Sequence, residues 1–560
     1  MTCKTHVLSV SPFITVLGIL ILLAAPVRLT GGGQLLATSV VSTPMDASTP
    51  LFLSAVTYNS GGQAAMSVAI ADVNGDGKPD AVAANACPVN GCSNAGALGV
   101  LLGNGDGTFQ PAATYGSGGV TAYGLGSVSI GDVNGDGRPD IVVTNACGVD
   151  TNCTSGSIGV LRGNGDGTFQ PPVTYGSGGY FDIALALADL NADGHPDVVV
   201  VNDCADIACA SDGVVGVLLG NGDGSFQTAA RYDSGGLNAR SVAVADVNND
   251  GMPDLLVSND CNVNCAAGVV AVLKGNGDGT FLPAVAFDAN DSHRKSVAVA
   301  DVNGDGRPDM LVANYCLPGN ACGGGGAGGV DVLLGNGDGT FQPAVSYASG
   351  SDDADSVAIA DVNGDGRRDL LVINQCSDIN CTSGTVGVLL GNGDGTFQAA
   401  TTYGSGGYFA DSIAIADLNG DGSPDLLVAN FGNSIGVLLN NSADTTPPTI
   451  TVSAAPGVLW PPNGKMIPVT ISGTITDTGS GVNLNRVAYA VKDEYGVVQP
   501  HGGVVLGSEG GYTFSIWLQA SRRSTDRDGR RYVVTVQAED NGRNIGSKTT
   551  VVTVPHDHNN

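Results

Sequence analysis

Asp72-Val-Asn-Gly-Asp-Gly-Lys-Pro-Asp80 puts oxygen-bearing side chains at positions 1, 3, 5 and 9 of a nine-residue stretch, with glycine at position 6. Short oxygen arms around a sharp glycine turn suit a hard cation such as calcium. The stretch recurs with its first residue at Asp72, Asp132, Asp189, Asp246, Asp301, Asp361 and Asp417, a period of 55 to 60 residues. A fixed period of this length marks a repeat architecture, one supersecondary unit stacked many times. The expected fold class is all-β: a ring or stack of β units, each with its own calcium clip.

The candidate ligands follow by position. Position 3 is Asn74, Asn134, Asn191, Asn248, Asn303, Asn363 and Asn419. Position 5 is Asp76, Asp136, Asp193, Asp250, Asp305, Asp365 and Asp421, and position 9 is Asp80, Asp140, Asp197, Asp254, Asp309, Asp369 and Asp425. Position 7 would contribute its backbone carbonyl, which is why its side chain varies (Lys78, Arg138, His195, Met252, Arg307, Arg367, Ser423). His195 is therefore read as a bystander in its side chain. An EF-hand would need a bidentate Glu at position 12 and flanking helices. Position 12 of the first loop is Ala83 and proline fills position 8 in six copies, so the EF-hand and the equally helical dockerin are excluded. A metal-free turn would leave three carboxylates repelling one another in each loop.

One repeat reads as four strands. Ser-Val-Ser-Ile-Gly before Asp132 alternates as a strand does. Pro139 to Val143 is a β-branched buried strand, and Ile158 to Leu161 forms a third. A hairpin turn follows at Gly163-Asn-Gly-Asp-Gly-Thr-Phe169. Thr168 to Tyr175 is expected as the fourth. The array has seven Asp loops but six Gly-Asn-Gly-Asp-Gly turns, and the seventh repeat stops at Leu439-Asn440. Leu51-Phe-Leu-Ser-Ala-Val-Thr-Tyr58 resembles Phe109 to Tyr115, so the first strand is expected to complete the last unit. Tyr58 also begins a series (Tyr115, Tyr175, Tyr232, Phe287, Tyr347, Tyr403) read as packing between units.

Asp-Val-Asn-Gly-Asp-Gly-x-Pro-Asp together with Gly-Asn-Gly-Asp-Gly-Thr-Phe resembles the FG-GAP/VCBS repeats of the integrin α-subunit propeller and of many secreted bacterial proteins. The resemblance covers about residues 51–441. It implies a seven-bladed β-propeller, calcium in the hairpin between first and second strands, and roles in adhesion or ligand binding. Beyond a Pro-rich linker at 442–449, alternating runs over 450–555 suggest a β-sandwich. Its Asp477-Thr-Gly-Ser-Gly-Val482 and Ala538 to Asn544 stretches look like those of bacterial immunoglobulin-like domains.

The net charge is −30, and every acid before Pro447 is Asp, the acid suited to turns and metal loops. So acidic a surface argues against nucleic acid as a partner. Twelve cysteines form close pairs (Cys87/Cys92, Cys147/Cys153, Cys204/Cys209, Cys261/Cys265, Cys316/Cys322, Cys376/Cys381) at one phase of six repeats, which reads as local disulfides in an exported chain. Residues 1–39, with an apolar run from Val7 to Ala25, read as a signal peptide and leader, an uncleaved anchor being the rival. No membrane span is expected after signal cleavage, and the localisation expected is secreted or cell-surface.

The six histidines are scattered and form no triad or dyad. The expectation is a non-enzymatic adhesion or ligand-recognition protein whose partner is an extracellular protein or glycan. The alternatives are a lectin-like carbohydrate binder and, less favoured, a polysaccharide-acting enzyme. Ligand contacts are expected on the face opposite the Asp loops, at Tyr180-Phe181, His293-Arg294-Lys295, Asp352 to Asp355 and Tyr408-Phe409. Arg522, Arg523, Arg527, Arg530 and Arg531 are read as a basic patch on a solvated hairpin.

Overall fold

The computed structural model describes residues 50–89, 96–119, 126–148, 155–206, 213–262, 268–288, 294–317, 327–377, 381–441, 447–477, 482–507, 510–540 and 544–556. The leader, the junction 442–446 and the second cysteine of five pairs fall outside them. Every regular element among the described residues is a β-strand.

The repeats fold as antiparallel sheets. In the first, Gly62–Ala71, Asp80–Pro88, Ala97–Leu101 and Ala113–Gly116 pair in chain order. The described residues of 51–441 form five four-stranded sheets and one of seven strands. The larger one is two such units joined through the single strand Val345–Ala360. The sheet of the seventh repeat takes its outer strand from the start of the array: Val56–Asn59 pairs with Ser434–Leu438, Tyr58 opposite Ile435. Phe52 bridges Asn440 much as Phe109 bridges Gly103.

The expected fourth strand, Thr168 to Tyr175, is shorter than read. Phe169 makes only an isolated bridge to Gly163, and the strand proper is Val173–Gly176. The same break recurs where no proline stands, before Ala230–Asp233 and Thr401–Gly404, so it belongs to the repeat itself.

Burial explains the stacking. Second and third strands, such as Asp140–Asn145 and Ser157–Leu161, are buried along their whole length. Both faces are covered because each sheet lies against its neighbours: first strands touch in the order of the repeats, and that of the seventh, Ala410–Ala416, touches Gly62–Ala71 of the first. An edge-to-face aromatic pair ties each repeat to the next, from Tyr58–Phe109 at 5.6 Å to Tyr347–Phe397 at 5.5 Å. Tyr403 meets Phe52 at 5.4 Å, so the circuit of ring contacts returns to its beginning. Each such pair contributes about 0.5–1.5 kcal/mol beyond the area it buries.

Residues 449–554 form two further four-stranded sheets that share one core, including Ile471, Ile516, Tyr532 and Val534. Here the reading of Arg530 as part of a solvated patch is corrected. Arg530 is 1% exposed. Its guanidinium donates to Asp493 through Nε (2.9 Å) and Nη2 (2.5 Å) and lies over the rings of Tyr495 and Tyr532. Burial alone would raise the Asp493 carboxyl; the Arg530 guanidinium and the N–H groups of Val498, Tyr495 and Val497 hold it well below the usual range.

Candidate functional site

The Asp loops lie where each first strand turns into the second, and they share one geometry. Asp72 Oδ1 accepts the N–H of Gly75 (2.7 Å), and its Oδ2 that of Gly77 (2.8 Å). Asn74 Oδ1 accepts the N–H of Asp76 (2.9 Å), and Asp76 Oδ1 accepts that of Lys78 (3.0 Å). Gly77 sits at φ +80°, a left-handed conformation that a side chain would strain. The same bonds recur at Asp132, Asp301, Asp361 and Asp417, each to the N–H groups of the fourth and sixth loop residues. Asp189 and Asp246 keep the sixth-residue bond. Their loops carry Ala192 and Asn249 at position 4, both at φ 58°.

Position 9 has a role that spacing does not reveal. Asp80 is fully buried; Oδ2 accepts the Val73 N–H at 2.9 Å and Oδ1 the Gly103 N–H at 2.7 Å. Gly103 opens the Gly-Asn-Gly-Asp-Gly turn, so one carboxylate pins the Asp loop to the hairpin beside it. A Cβ at Gly103 would meet the Pro79 carbonyl at 2.0 Å, which is why glycine stands there. The clamp repeats at Asp140, Asp197, Asp254, Asp309 and Asp369, and Asp425 bonds the Asn440 N–H instead.

The donor set fits a divalent cation. Burial raises the Asp80 carboxyl, its two N–H bonds pull it back, and the nearby Asp76 and Asp72 charges raise it further. The same causes act at the other position-9 residues and push Asp425 up to about 7. The charges of positions 1 and 5 thus bear on the position-9 carboxyl, so each loop gathers three acids in one neighbourhood. The nearest cations are marginal: Lys78 Nζ is 3.9 Å from Asp76 and Arg307 4.0 Å from Asp305, both largely exposed. The aspartates of the neighbouring turns are different. Asp106 accepts the hydroxyl and N–H of Thr108, which lower its carboxyl, as expected of a turn cap.

At the opposite end of the first strands lies a cavity of about 240 Å³, lined by residues of all seven repeats. A β-bulge builds it. Ala239 faces Asn259 and Ser241 faces Ser258, which leaves Arg240 as an extra residue. Met66, Ile183, Asp355 and Asp411 stand in the corresponding register gaps. Two residues earlier the backbone is left-handed at a non-glycine residue: Ala64, Phe181, Asn238, Asp353 and Phe409. Bulges of this kind re-aim side chains and are common beside functional sites.

The bulge residue is followed by Ser67, Ser127, Ser241, Ser296, Ser356 and Ser412, and by Ala184 in the third repeat. The lining thus combines a near-constant hydroxyl ring with one position that varies among repeats: Met66, Ile183 and Arg240, then Asp355 and Asp411. Arg240 donates to Asp260 from Nε (2.8 Å) and Nη2 (2.6 Å), with Asp203 at 3.9 Å. Gln375 Nε2 donates to Asp355 (3.2 Å) and to Asp411 of the next repeat (3.3 Å).

This bulge is the signal that alternation of apolar residues hid. Of the clusters expected on this face, Tyr180-Phe181 and Asp352 to Asp355 belong to strands rather than loops. Tyr408 and Phe409 directly precede a strand, and His293 lies outside the described residues. Cys376 and Cys381 form a disulfide. Cys87, Cys147, Cys204, Cys261 and Cys316 are disulfide-bonded as well.

The family described as FG-GAP-like repeat matches residues 88–143, 148–200, 204–257, 259–312, 321–372 and 377–428, more than half of the chain. The FG-GAP repeat family matches residues 295–333. Each longer match begins near a cysteine loop and ends past the next Asp loop, so it spans the end of one repeat and the start of the next. Three solved structures are similar to the chain at low identity. The V. cholerae biofilm matrix protein Bap1 has a TM-score of 0.36 and 15% identity over 69% of this chain and 89% of that one. The Dos1 propeller has 0.40 and 9% over 69% and 94%. A point mutant of NanB sialidase from Streptococcus pneumoniae has 0.37 and 12% over 72% and 72%. No curated protein matches the sequence.

Proposed function

The chain belongs to the FG-GAP-like repeat family, and from that premise we propose that it is an exported, calcium-stabilised, seven-bladed β-propeller that works by recognition rather than catalysis. Its outer strand Val56–Asn59 closes the seventh blade, and residues 450–555 form an immunoglobulin-like domain behind the linker 442–449. The pairing of that strand with Ser434–Leu438 and the returning circuit of aromatic pairs support closure. Exclusion from the cytoplasm accords with the disulfide-bonded cysteines, which persist in oxidising compartments.

Calcium would be held in each loop by the side chains of positions 1, 3, 5 and 9 and the carbonyl of position 7: Asp72, Asn74, Asp76, Asp80 and Lys78 in the first. Up to seven ions would neutralise the loop carboxylates and stiffen the hairpins. Recognition belongs to the other end. The observation that carries this reading is the contrast between the two ends of one strand set. The Asp loops barely change from repeat to repeat, whereas the bulge residue changes from Met66 to Ile183 to Arg240 to Asp355. A surface held by a rigid scaffold and varied position by position is suited to binding.

The test is attachment. Full-length protein is offered extracellular proteins and glycans, with and without calcium. Alanine at Tyr408, Phe409 and Phe431 should weaken attachment while calcium binding is retained. Turnover of a polysaccharide by the purified protein would overturn the non-enzymatic reading.

A further inference from the structure

The geometry points to the central pocket as a binding site for one neutral sugar residue, such as the end of a glycan chain. This inference rests on the recognition reading above and specifies its ligand.

Size comes first. A cavity of about 240 Å³ is below the roughly 300–1,000 Å³ of pockets for drug-sized ligands. It admits a single ring, not an oligosaccharide threaded through.

The lining has two unlike halves. Met66 and Ile183, with Gly126 between them in repeat order, form an apolar side. Arg240, Asp355, Asp411 and Gln375 form a polar side, and serine hydroxyls run round both. A pyranose ring has matching parts: a face of C–H groups that gains from leaving water, and an edge of hydroxyls that both donate and accept. Carboxylates accept from such hydroxyls, while guanidinium and amide groups donate to them. Arg240 is held by Asp260 and Asp203, and Gln375 spans Asp355 and Asp411, so these groups are fixed in place before a ligand arrives. Preorganisation of this kind lowers the entropy cost of binding. Acidic sugars are disfavoured because Asp355 and Asp411 would repel their carboxylates.

A second observation lies in the seventh repeat. There the turn between second and third strands is only Phe431-Gly432-Asn433. It leaves three aromatic rings open: Tyr408, Phe409 and Phe431 are 49%, 38% and 44% exposed. Phe409 is 6.0 Å from Tyr408 and 6.3 Å from Phe431 between ring centroids. Phe431 N–H donates to the Phe409 carbonyl, two residues before the bulge residue Asp411. Flat apolar rings on the repeat that supplies Asp411 offer a stacking platform for a further sugar of a chain.

The test uses full-length, calcium-loaded protein and saturation-transfer NMR with glucose, galactose, mannose, N-acetylglucosamine and glucuronic acid, each alone. We expect at least one neutral sugar to bind and glucuronic acid not to. Met66→Trp, which fills the apolar half, should abolish binding. Asp355→Asn with Asp411→Asn should weaken it by about tenfold or more, the scale of losing a hydrogen bond to a charged group. Melting temperature is read for every variant. If Met66→Trp does not fold, the Asn pair still decides. Absence of binding for every neutral sugar, binding that survives folded variants, or saturable binding of arginine amide in place of sugar would each overturn the inference. Attachment through Tyr408, Phe409 and Phe431 that persists in those cases leaves the recognition reading standing.

Discussion

The two ends of each first strand solve opposite problems with the same residue type. At the Asp-loop end, Asp80 and its equivalents are buried and each oxygen accepts a backbone N–H. These carboxylates organise the chain, so any change is penalised in every repeat alike. At the pocket end, Asp355 and Asp411 project from bulges whose ladder bonds are already interrupted. Their side chains can change without breaking a strand pair. Constancy at one end and variety at the other follow from where the backbone hydrogen bonds are made.

The largest effect is expected from removing calcium. A site with a dissociation constant one hundredth of the ambient concentration contributes about 2.7 kcal/mol, so several sites acting together should shift melting by many degrees. A melting curve unaffected by excess chelator at pH 8 would remove calcium from the loops. The effect should grow with pH. In metal-free protein a raised carboxyl such as Asp425, at about 7, contributes stability that is full below its unfolded value near 3.9 and is lost as pH rises through 7. Metal binding needs the ionised form, so chelator should do less harm at pH 5 than at pH 8.

Asp309→Ala, measured in chelator so that metal drops out, should cost about 3 kcal/mol in a urea titration. It leaves the N–H groups of Val302 and Gly335 buried without their acceptor. A cost below about 0.5 kcal/mol would mean that position 9 serves the ion alone.

The third repeat offers a smaller and opposite effect. Asp182 is fully buried where the equivalent positions hold Ala65, Ala239, Ala354 and Ala410. Ser177 Oγ lies 2.7 Å from Asp182 Oδ1 and 2.8 Å from Asn202 Oδ1, yet a hydroxyl has one proton to give. In four other repeats that hydroxyl donates to the asparagine: Ser60 to Asn85, Ser117 to Asn145, Ser234 to Asn259 and Ser405 to Asn430. Both contacts are satisfied only if Asp182 carries a proton and donates it to Ser177. Burial, which pushes this carboxyl well above its usual value, agrees. The stability it contributes is therefore present below the unfolded value near 3.9 and lost as pH rises through the folded one. Asp182→Ala should be neutral at low pH and stabilise by about 1 kcal/mol once wild-type Asp182 ionises, read from urea midpoints across pH.

The smallest effect is expected at the pocket. Met66→Gln should alter stability by no more than about 0.5 kcal/mol in the same titration. A loss as large as that of Asp309→Ala would show that the bulge position is structural, and would undo the contrast.

The Asp loops and their repeat period, with the expected ligand positions, could be read from the chain because every residue involved lies within nine of its partner. The paired strands of one repeat were legible for the same reason, and the fourth strand was read too long because its leading Phe makes only an isolated bridge in every such repeat. What the linear order could not disclose depends on distance or on register. Arg530 reads as a surface charge until the fold brings Asp493, 37 residues away, against it. Asp80 reads as a metal ligand alone until the hairpin returns Gly103 to its other oxygen. The bulge is the clearest case: one extra residue in a strand reverses which side chains face inward. Met66, Arg240 and Asp411 therefore look like ordinary strand residues in sequence. The chain alone determined the repeat and its acidic loops, since those are local. Only tertiary structure, by bringing the first strands of all seven repeats to one cavity, decided that the odd residue of five of them would line a common pocket.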